Sequence, residues 1–496
     1  MASDFKLCVG DVANVFDGPH ATPKKLENGP YFLSISSLNR GALDLTQSAH
    51  LSEEDFKKWT KRVTPEPGDI LFSYETRLGE AAMMPQGIRA CLGRRMGLLR
   101  PDRTKVLPEY LLYAYLSPDF QAIIEQRKIH GATVDRIALK ELPSFPIRIP
   151  GIAEQQLVVD NLNALDAKIQ LNHQINQTLE QMAQALFKSW FVDFEPVKAK
   201  IAALEAGGSE EDALLAAMQV IAGDTQERAN AAEGSAPEAA SGDKLARLQA
   251  EQPEQYAELR ATAELFPSAM QDSELGEIPE GWAIDDINGI TSLIIDHRGK
   301  TPKKLGGDWA DEGYIALSAK HIKAGEIVNR EQLRFVEECL YRRWMKDELQ
   351  KGDILLTSEG PMGEMYYLSK NDKYCLSQRL YALRANTKKI DPAYLFFWLQ
   401  SPLAKSDING RATGTTVVGI RQSELRKVRV LNPSKKLTQR FQQAIGGSLS
   451  MMGLRSKESL SLTSLRDTLL PRLLSGELSV SEAETQLTEA EAPANV

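Results

Sequence analysis

The chain repeats itself. Thr22-Pro23-Lys24-Lys25-Leu26 recurs 279 residues later as Thr301-Pro302-Lys303-Lys304-Leu305. Gly68-Asp69-Ile70-Leu71 recurs as Gly352-Asp353-Ile354-Leu355, at an offset of 284. Gly79-Glu80 and Gly363-Glu364 keep that offset, as do Cys91-Leu92-Gly93-Arg94-Arg95 and Cys375-Leu376-Ser377-Gln378-Arg379. So do Tyr110-Leu111 with Tyr394-Leu395, and Ser117-Pro118 with Ser401-Pro402. Thr133, Ile137, Glu141, Leu142 and Pro150 match Thr416, Ile420, Glu424, Leu425 and Pro433 at an offset of 283. Chance does not hold a register so long with only small indels, so one unit of about 150 residues must occur twice, each time followed by a helix.

Within a unit, Ile70-Leu71-Phe72 and Ile354-Leu355-Leu356 are short apolar runs after a Gly-Asp turn and read as strands. Tyr110–Tyr115 and Tyr394–Leu399 follow Pro108 and Pro392 and read as short helices. After Pro150 the period changes. Val158, Leu162, Leu165, Ile169, Asn172, Asn176, Leu179, Ala183, Leu186 and Trp190 alternate spacings of four and three, a heptad seam. A helix of about 36 residues would run about 54 Å. Its two asparagines trade packing for register. The stretch after Pro433, with Phe441, Ile445, Met452, Leu462, Leu469 and Leu473, is less clean, having Arg455 and Arg466 at seam positions. Two such helices can pair antiparallel about a pseudo-two-fold axis. The expected fold is α+β, two duplicated units with two long antiparallel coiled-coil helices between them. The chain parses as 1–150 first unit, 151–195 central helix, 196–281 acidic Ala/Glu-rich helical spacer, 282–435 second unit, and 436–496 second helix and tail.

The net charge of −8 is unevenly spread: +2 over 1–150, −15 over 151–281, +6 over 282–435 and −1 over 436–496. Both repeated units are mildly basic, and it is the local field that attracts phosphate. The four cysteines form no C-x-x-C pair and suit reduced thiols in the cytoplasm. No apolar run approaches the ~20 residues of a membrane span, and Met1-Ala2-Ser3-Asp4-Phe5-Lys6 does not open like a secretory leader.

Catalytic motifs are not found. Gly299-Lys300-Thr301 imitates the end of a phosphate-binding loop, but Ile294 stands where that loop needs glycine. Asn432-Pro433-Ser434-Lys435 is not the Pro-Pro-aromatic motif of an amino-methyltransferase, and the six histidines lack zinc spacing.

Leu186-Phe187-Lys188-Ser189-Trp190-Phe191-Val192-Asp193-Phe194-Glu195-Pro196 resembles the end of the central helix of type I restriction-modification specificity subunits. Leu465-Arg466-Asp467-Thr468-Leu469-Leu470-Pro471-Arg472-Leu473-Leu474-Ser475-Gly476-Glu477 resembles their C-terminal signature, and Leu275–Trp282 the start of a target-recognition domain. The resemblance spans the chain; the acidic insert and the missing Trp near Phe5-Lys6-Leu7 depart from it. It implies a non-catalytic DNA reader with two target-recognition domains, one per half of a bipartite site. It further implies helices that dock two methyltransferase subunits and two motor-nuclease subunits, those partners rather than this chain holding S-adenosylmethionine, ATP and Mg. A protein-binding coiled-coil scaffold and a self-sufficient DNA-modifying enzyme are the competing readings; the two basic units argue against the first and the absent motifs against the second.

For DNA contact, Lys24, Lys25, Lys300, Thr301, Lys303 and Lys304 suit phosphates, or are solvated turns. Arg95 and Arg379 recur, which favours phosphate or scaffold roles, whereas the differing neighbours Arg94 and Gln378 suit guanine and adenine readout. Ser36, Ser37 and Asn39 lie near the place of Lys320 and His321 and also differ between copies. Thr133, Thr415 and Thr416, beside glycines, suit phosphate contact or helix capping. Phe187, Trp190, Phe191 and Phe194, with Leu186, Leu469 and Leu473, form either a partner dock or core.

Overall fold

The computed structural model describes residues 6–20, 22–39, 41–130, 134–233, 242–297, 299–414, 417–475 and 477. The chain divides into two compact units, Met1–Leu171 with Glu458–Val496, and Asn172–Lys457.

In the first unit, β1 (Ala13–Asp17), β2 (Ile70–Ser73), β3 (Ala81–Met83) and β4 (Met96–Pro101) form an antiparallel sheet in the order β1-β4-β2-β3. Alternate side chains of a strand face opposite ways. Ile70, Phe72 and Leu99 therefore enter one core, with Tyr110, Tyr115 and Phe120 of the helices Pro108–Leu116 and Pro118–Arg127. Leu71, Leu98 and Ala82 enter a second core with Leu33 and Ala90, beside a three-stranded sheet of Leu26–Phe32, Ala49–His50 and Ala90–Cys91. Pro108 opens its helix, where a missing N–H costs nothing, and Ser117 caps the next, its Oγ accepting from Phe120 N at 3.3 Å.

The second unit repeats this topology. β5 (Thr291–Asp296), β6 (Ile354–Thr357), β7 (Met365–Tyr367) and β8 (Leu380–Ala385) take the order β5-β8-β6-β7. Its three-stranded sheet again holds one parallel pair, Ala316-Leu317 against Cys375-Leu376, as Tyr31-Phe32 runs against Ala90-Cys91 in the first unit. Each Gly-Asp turn uses glycine at positive φ, +90° at Gly68 and +91° at Gly352. Each turn's carboxylate is a buried anchor. Arg100 grips Asp69 through Nε at 3.0 Å and Nη2 at 2.8 Å, and Arg384 grips Asp353 at 2.9 and 2.8 Å.

The first long helix, Ile152–Phe191, has 40 residues and the second, Lys435–Ser475, has 41. In the first unit Val158, Leu162 and Leu165 share a core with Leu462, Leu469 and Leu473, and Arg466 Nη1 donates to Asp166 Oδ1 at 2.8 Å. In the second unit Leu186 and Phe187 pack with Phe441 and Ile445. There Arg455 Nη1 donates to Asn172 Oδ1 at 2.9 Å, and Asn176 Nδ2 to Met452 O at 3.2 Å and Ser456 Oγ at 3.0 Å. The pairings 172 with 455 and 176 with 452 make the two segments antiparallel, and the arginines that spoiled the heptad partner polar groups of the first helix, Asn172 on the seam and Asp166 beside it.

One expectation is corrected. The aromatics at the end of the first long helix are core, not an open dock. The Phe187 ring lies 5.6 Å from those of both Tyr394 and Phe441, Trp190 5.4 Å from Phe266, and Phe191 and Phe194 5.9 and 5.7 Å from Trp282. Leu186 is 1% exposed, Leu469 0% and Leu473 2%, so none of these offers surface to a partner. The acidic insert, read as a helical spacer, is helical and packs on the second unit. Its helices Glu195–Glu205, Glu210–Glu233, Gly242–Glu251 and Pro253–Ala263 fold onto the second unit, Val197, Met218, Ile221 and Ala263 joining that aromatic core. The buried Lys200 donates Nζ to Phe266 O at 2.6 Å, and burial lowers its pKa.

Candidate nucleic-acid interface

Each unit draws separate turns together at one end. In the first, Arg77 Nη1 donates to Ile35 O at 3.2 Å, Tyr74 N to Arg95 O at 3.2 Å and Ile137 N to Tyr74 O at 2.9 Å. In the second, Ser377 N donates to Leu317 O at 2.7 Å, Ser358 N to Arg379 O at 2.8 Å and Ile420 N to Ser358 O at 2.9 Å. The turn after Cys91 and its copy after Cys375 sit in the middle of each cluster.

Arg95 and Arg379 hold those turns. Both have positive φ, 69° and 67°, which costs a side-chain-bearing residue on the order of 1 kcal/mol and persists only where surroundings impose it. The imposing group is a repeated carboxylate: Arg95 Nε lies 2.8 Å from Glu75 Oε2, and Arg379 Nε 3.0 Å from Glu359 Oε1. With Arg95 and Arg379 tied to their glutamates through Nε, the preceding residues Arg94 and Gln378 are exposed, as Arg379 itself remains. The structure thus separates a common clamp from a variable tip.

Lys24 and Lys25 are exposed on the segment leading into Leu26–Phe32. That segment starts against the Arg94 turn, for a Cβ on Gly18 would lie 2.5 Å from Met96 O and 3.1 Å from Gly93 O. Lys303 and Lys304 are exposed on a single turn of 3-10 helix, where Lys304 Nζ donates to Gly299 O at 2.8 Å. Thr301 Oγ1 accepts from Lys304 N at 3.4 Å. Lys300 is half-buried, its Nζ donating to Trp344 O at 3.1 Å; burial, then Lys346, lowers its pKa, so it holds the turn. Its neighbour His297 is pushed down to about 4, mainly by burial.

Ser36, Asn39 and Lys320 are exposed, Lys320 Nζ reaching Gln332 Oε1 at 2.9 Å. Ser37 and His321 leave the candidate set. They are 0% and 2% exposed, and each closes its own turn: Ser37 Oγ accepts from Ser34 N at 3.3 Å, and His321 Nδ1 from Ser318 N at 3.0 Å. Thr133, Thr415 and Thr416 lie outside the described residues. Arg77, Arg136 and the clamping Glu75 and Glu359 were not singled out from sequence. The two glutamates share the 284 offset of the arginines they hold, and that recurrence was the signal available.

Among the described residues no cluster of His, Cys, Asp and Glu could hold a metal ion, and no helix is long and apolar enough to cross a membrane. The profile of the type I restriction modification DNA specificity domain matches residues 4–181 and 279–453, once per repeat. The chain belongs to the type I restriction-modification specificity subunits. It is 32% identical over 426 residues to the type I restriction enzyme HindI specificity subunit of Haemophilus influenzae, covering 83% of this chain and 86% of that one. It is 22% identical to the MjaIX specificity subunit of Methanocaldococcus jannaschii, over 94% and 88% of the two chains. The solved S subunit of M. genitalium matches at 13% identity and a TM-score of 0.47, over 94% of this chain and 95% of that one. As a specificity subunit the chain is a non-catalytic DNA-recognition component, and the paired turn clusters belong to its two specificity domains.

Proposed function

We propose that this subunit reads a bipartite DNA site, one half per unit, through the exposed tips at Arg94 and Gln378, with Lys24, Lys25, Lys303 and Lys304 on phosphates. It docks two adenine-N6 methyltransferase subunits and, in the restriction complex, two motor-nuclease subunits in the cytoplasm. S-adenosylmethionine, ATP and Mg are held by those partners. The observation that carries the reading is the repeated Arg–Glu clamp presenting a different side chain in each copy. Two half-sites of different sequence need such a device: one architecture, two tips. Arg pairs bidentately with guanine and Gln with adenine in the major groove.

Because the aromatic cluster is core, docking passes to side chains that stand free on the long helices, among them Leu157, Leu171, Met451 and Leu454. Leu454 is 69% exposed. Mapping methylated adenines in cells that express the chain with its methyltransferase partner tests the reading. Two separated half-sites of different sequence are expected, and a single continuous recognition block overturns it.

A further inference from the structure

The two units differ at one place where their chain traces match. In the first, the helix Glu53–Trp59 ends near Asp17 and Leu92, and an open cavity of about 380 Å³ lies between them. Lys58, Lys61 and Arg62 stand exposed around it. Its one lining carboxylate is Asp17, whose Oδ2 lies 2.9 Å from His20 Nε2 and 3.7 Å from Arg62 Nη1 while Oδ1 is buried without a hydrogen-bond partner. The Trp59 indole N–H is buried with no hydrogen-bond partner. A buried donor left unmet costs free energy that an incoming acceptor recovers.

The second unit fills the matching place from within. Trp344 ends the equivalent helix Glu338–Trp344, is 0% exposed, and donates Nε1 to Leu376 O at 3.0 Å. Leu376 corresponds to Leu92. Arg343 Nη1 there donates to Leu305 O at 2.8 Å and Arg342 Nη2 to Glu338 Oε1 at 2.5 Å, though both arginines and Lys346, the match of Lys61, remain exposed. Both units thus carry exposed cations here, but only the first has an unmet indole donor beside a cavity walled by Trp59, Leu92 and Val63, the second having bonded its indole to its own backbone.

We propose that the cavity beside Trp59 seats one sugar–phosphate of the DNA backbone at the first half-site, an anchor that the second unit lacks. This rests on the DNA-reading function above. The cations face the phosphodiester, the indole N–H donates to one of its oxygens, and the apolar wall covers the deoxyribose. Such a contact positions the duplex without reading its sequence.

The test uses the full chain with its methyltransferase partner and DNA carrying the mapped site. Lys58→Ala/Lys61→Ala/Arg62→Ala should weaken binding roughly tenfold and flatten the log K against log salt slope by about one or more, with the preferred sequence unchanged. Trp59→Phe should weaken binding several-fold with little change of slope. A methylphosphonate scan of the first half-site should find a linkage whose neutralisation weakens the wild type but not the triple variant. The three cations are exposed, so loss of folding does not confuse the result. Wild-type affinity and scan profile in the triple variant overturn the anchor, provided Lys24→Ala/Lys25→Ala still lowers the slope. If the wild type shows no salt-dependent binding, the DNA-reading function fails first and takes the anchor with it.

Discussion

Arg95 and Arg379 occupy a conformation that side chains other than glycine seldom adopt, in both copies, each against its own glutamate. Each clamp takes the arginine's Nε, and Arg95 Nη1 also donates to Thr76 Oγ1 at 3.2 Å, so the side chain is held in place by its own unit, whereas its predecessor is exposed. Arg94→Ala should therefore relax preference at one or two positions of one half-site, and Gln378→Ala at positions of the other, each costing about 1–3 kcal/mol in competition binding. Equal loss on all sequences would mean that these side chains touch only phosphate. The buried carboxylates predict a different result. Asp353 is 1% exposed and holds Arg384 through two hydrogen bonds, which raise the arginine's pKa. Asp353→Leu removes half of a buried ion pair and should cost the second unit about 3 kcal/mol in denaturant unfolding. A loss below about 1 kcal/mol would show that water reaches Arg384 well enough to replace its partner.

At the level of elements, the polar residues in the long helices decide alignment more than strength. Asn172 and Asn176 sit on the heptad seam and Asp166 beside it, and each has found a partner from the other helix within its unit. A one-turn slip would leave the two asparagines buried and unmet, at about 1–3 kcal/mol each. The same helices separate core from free surface. Phe191 is 0% exposed and ringed by aromatics; Leu454 projects into solvent. Phe191→Asp should unfold the second unit, visible as lost cooperativity on heating. Leu454→Asp should leave melting unchanged and reduce co-purification of the methyltransferase subunit. Full assembly in the Leu454 variant would move the docking surface elsewhere.

For the whole molecule, the compact units do not follow the linear parse into units and helices. The first takes residues up to Leu171 and from Glu458 onward, the second everything between, so each long helix contributes one part to each unit. Only changes that leave both halves of the seam in register are informative about spacing. Four residues inserted after Leu171, matched by four after Lys457, keep Asp166 with Arg466 and Asn172 with Arg455. The insertion adds about 6 Å of helix, close to two base pairs. Methylation mapping should return the same half-sites with about two more unread base pairs between them. An unchanged spacer would mean that the helices do not measure the DNA.

The sequence by itself determined the duplication, the α+β alternation in each copy and the long helices. These rest on periods of 2, 3.5 and about 280, which are written along the chain. Repetition also separated Arg95 and Arg379 from Arg94 and Gln378 before any distance was known. Only the tertiary structure decided which apolar faces were already covered. Phe187, Trp190 and Phe191 look alike whether they meet a partner subunit or Tyr394 and Phe441, more than 200 residues away. Ser37 and His321 look like surface polar residues until their turns close over them. Likewise Trp59 and Trp344 are the same residue at matching positions, one with its N–H unmet beside a cavity and one bonded to Leu376 O. A local pattern encodes which face of an element is apolar; what that face meets depends on chain segments far apart in sequence, and no local period records that.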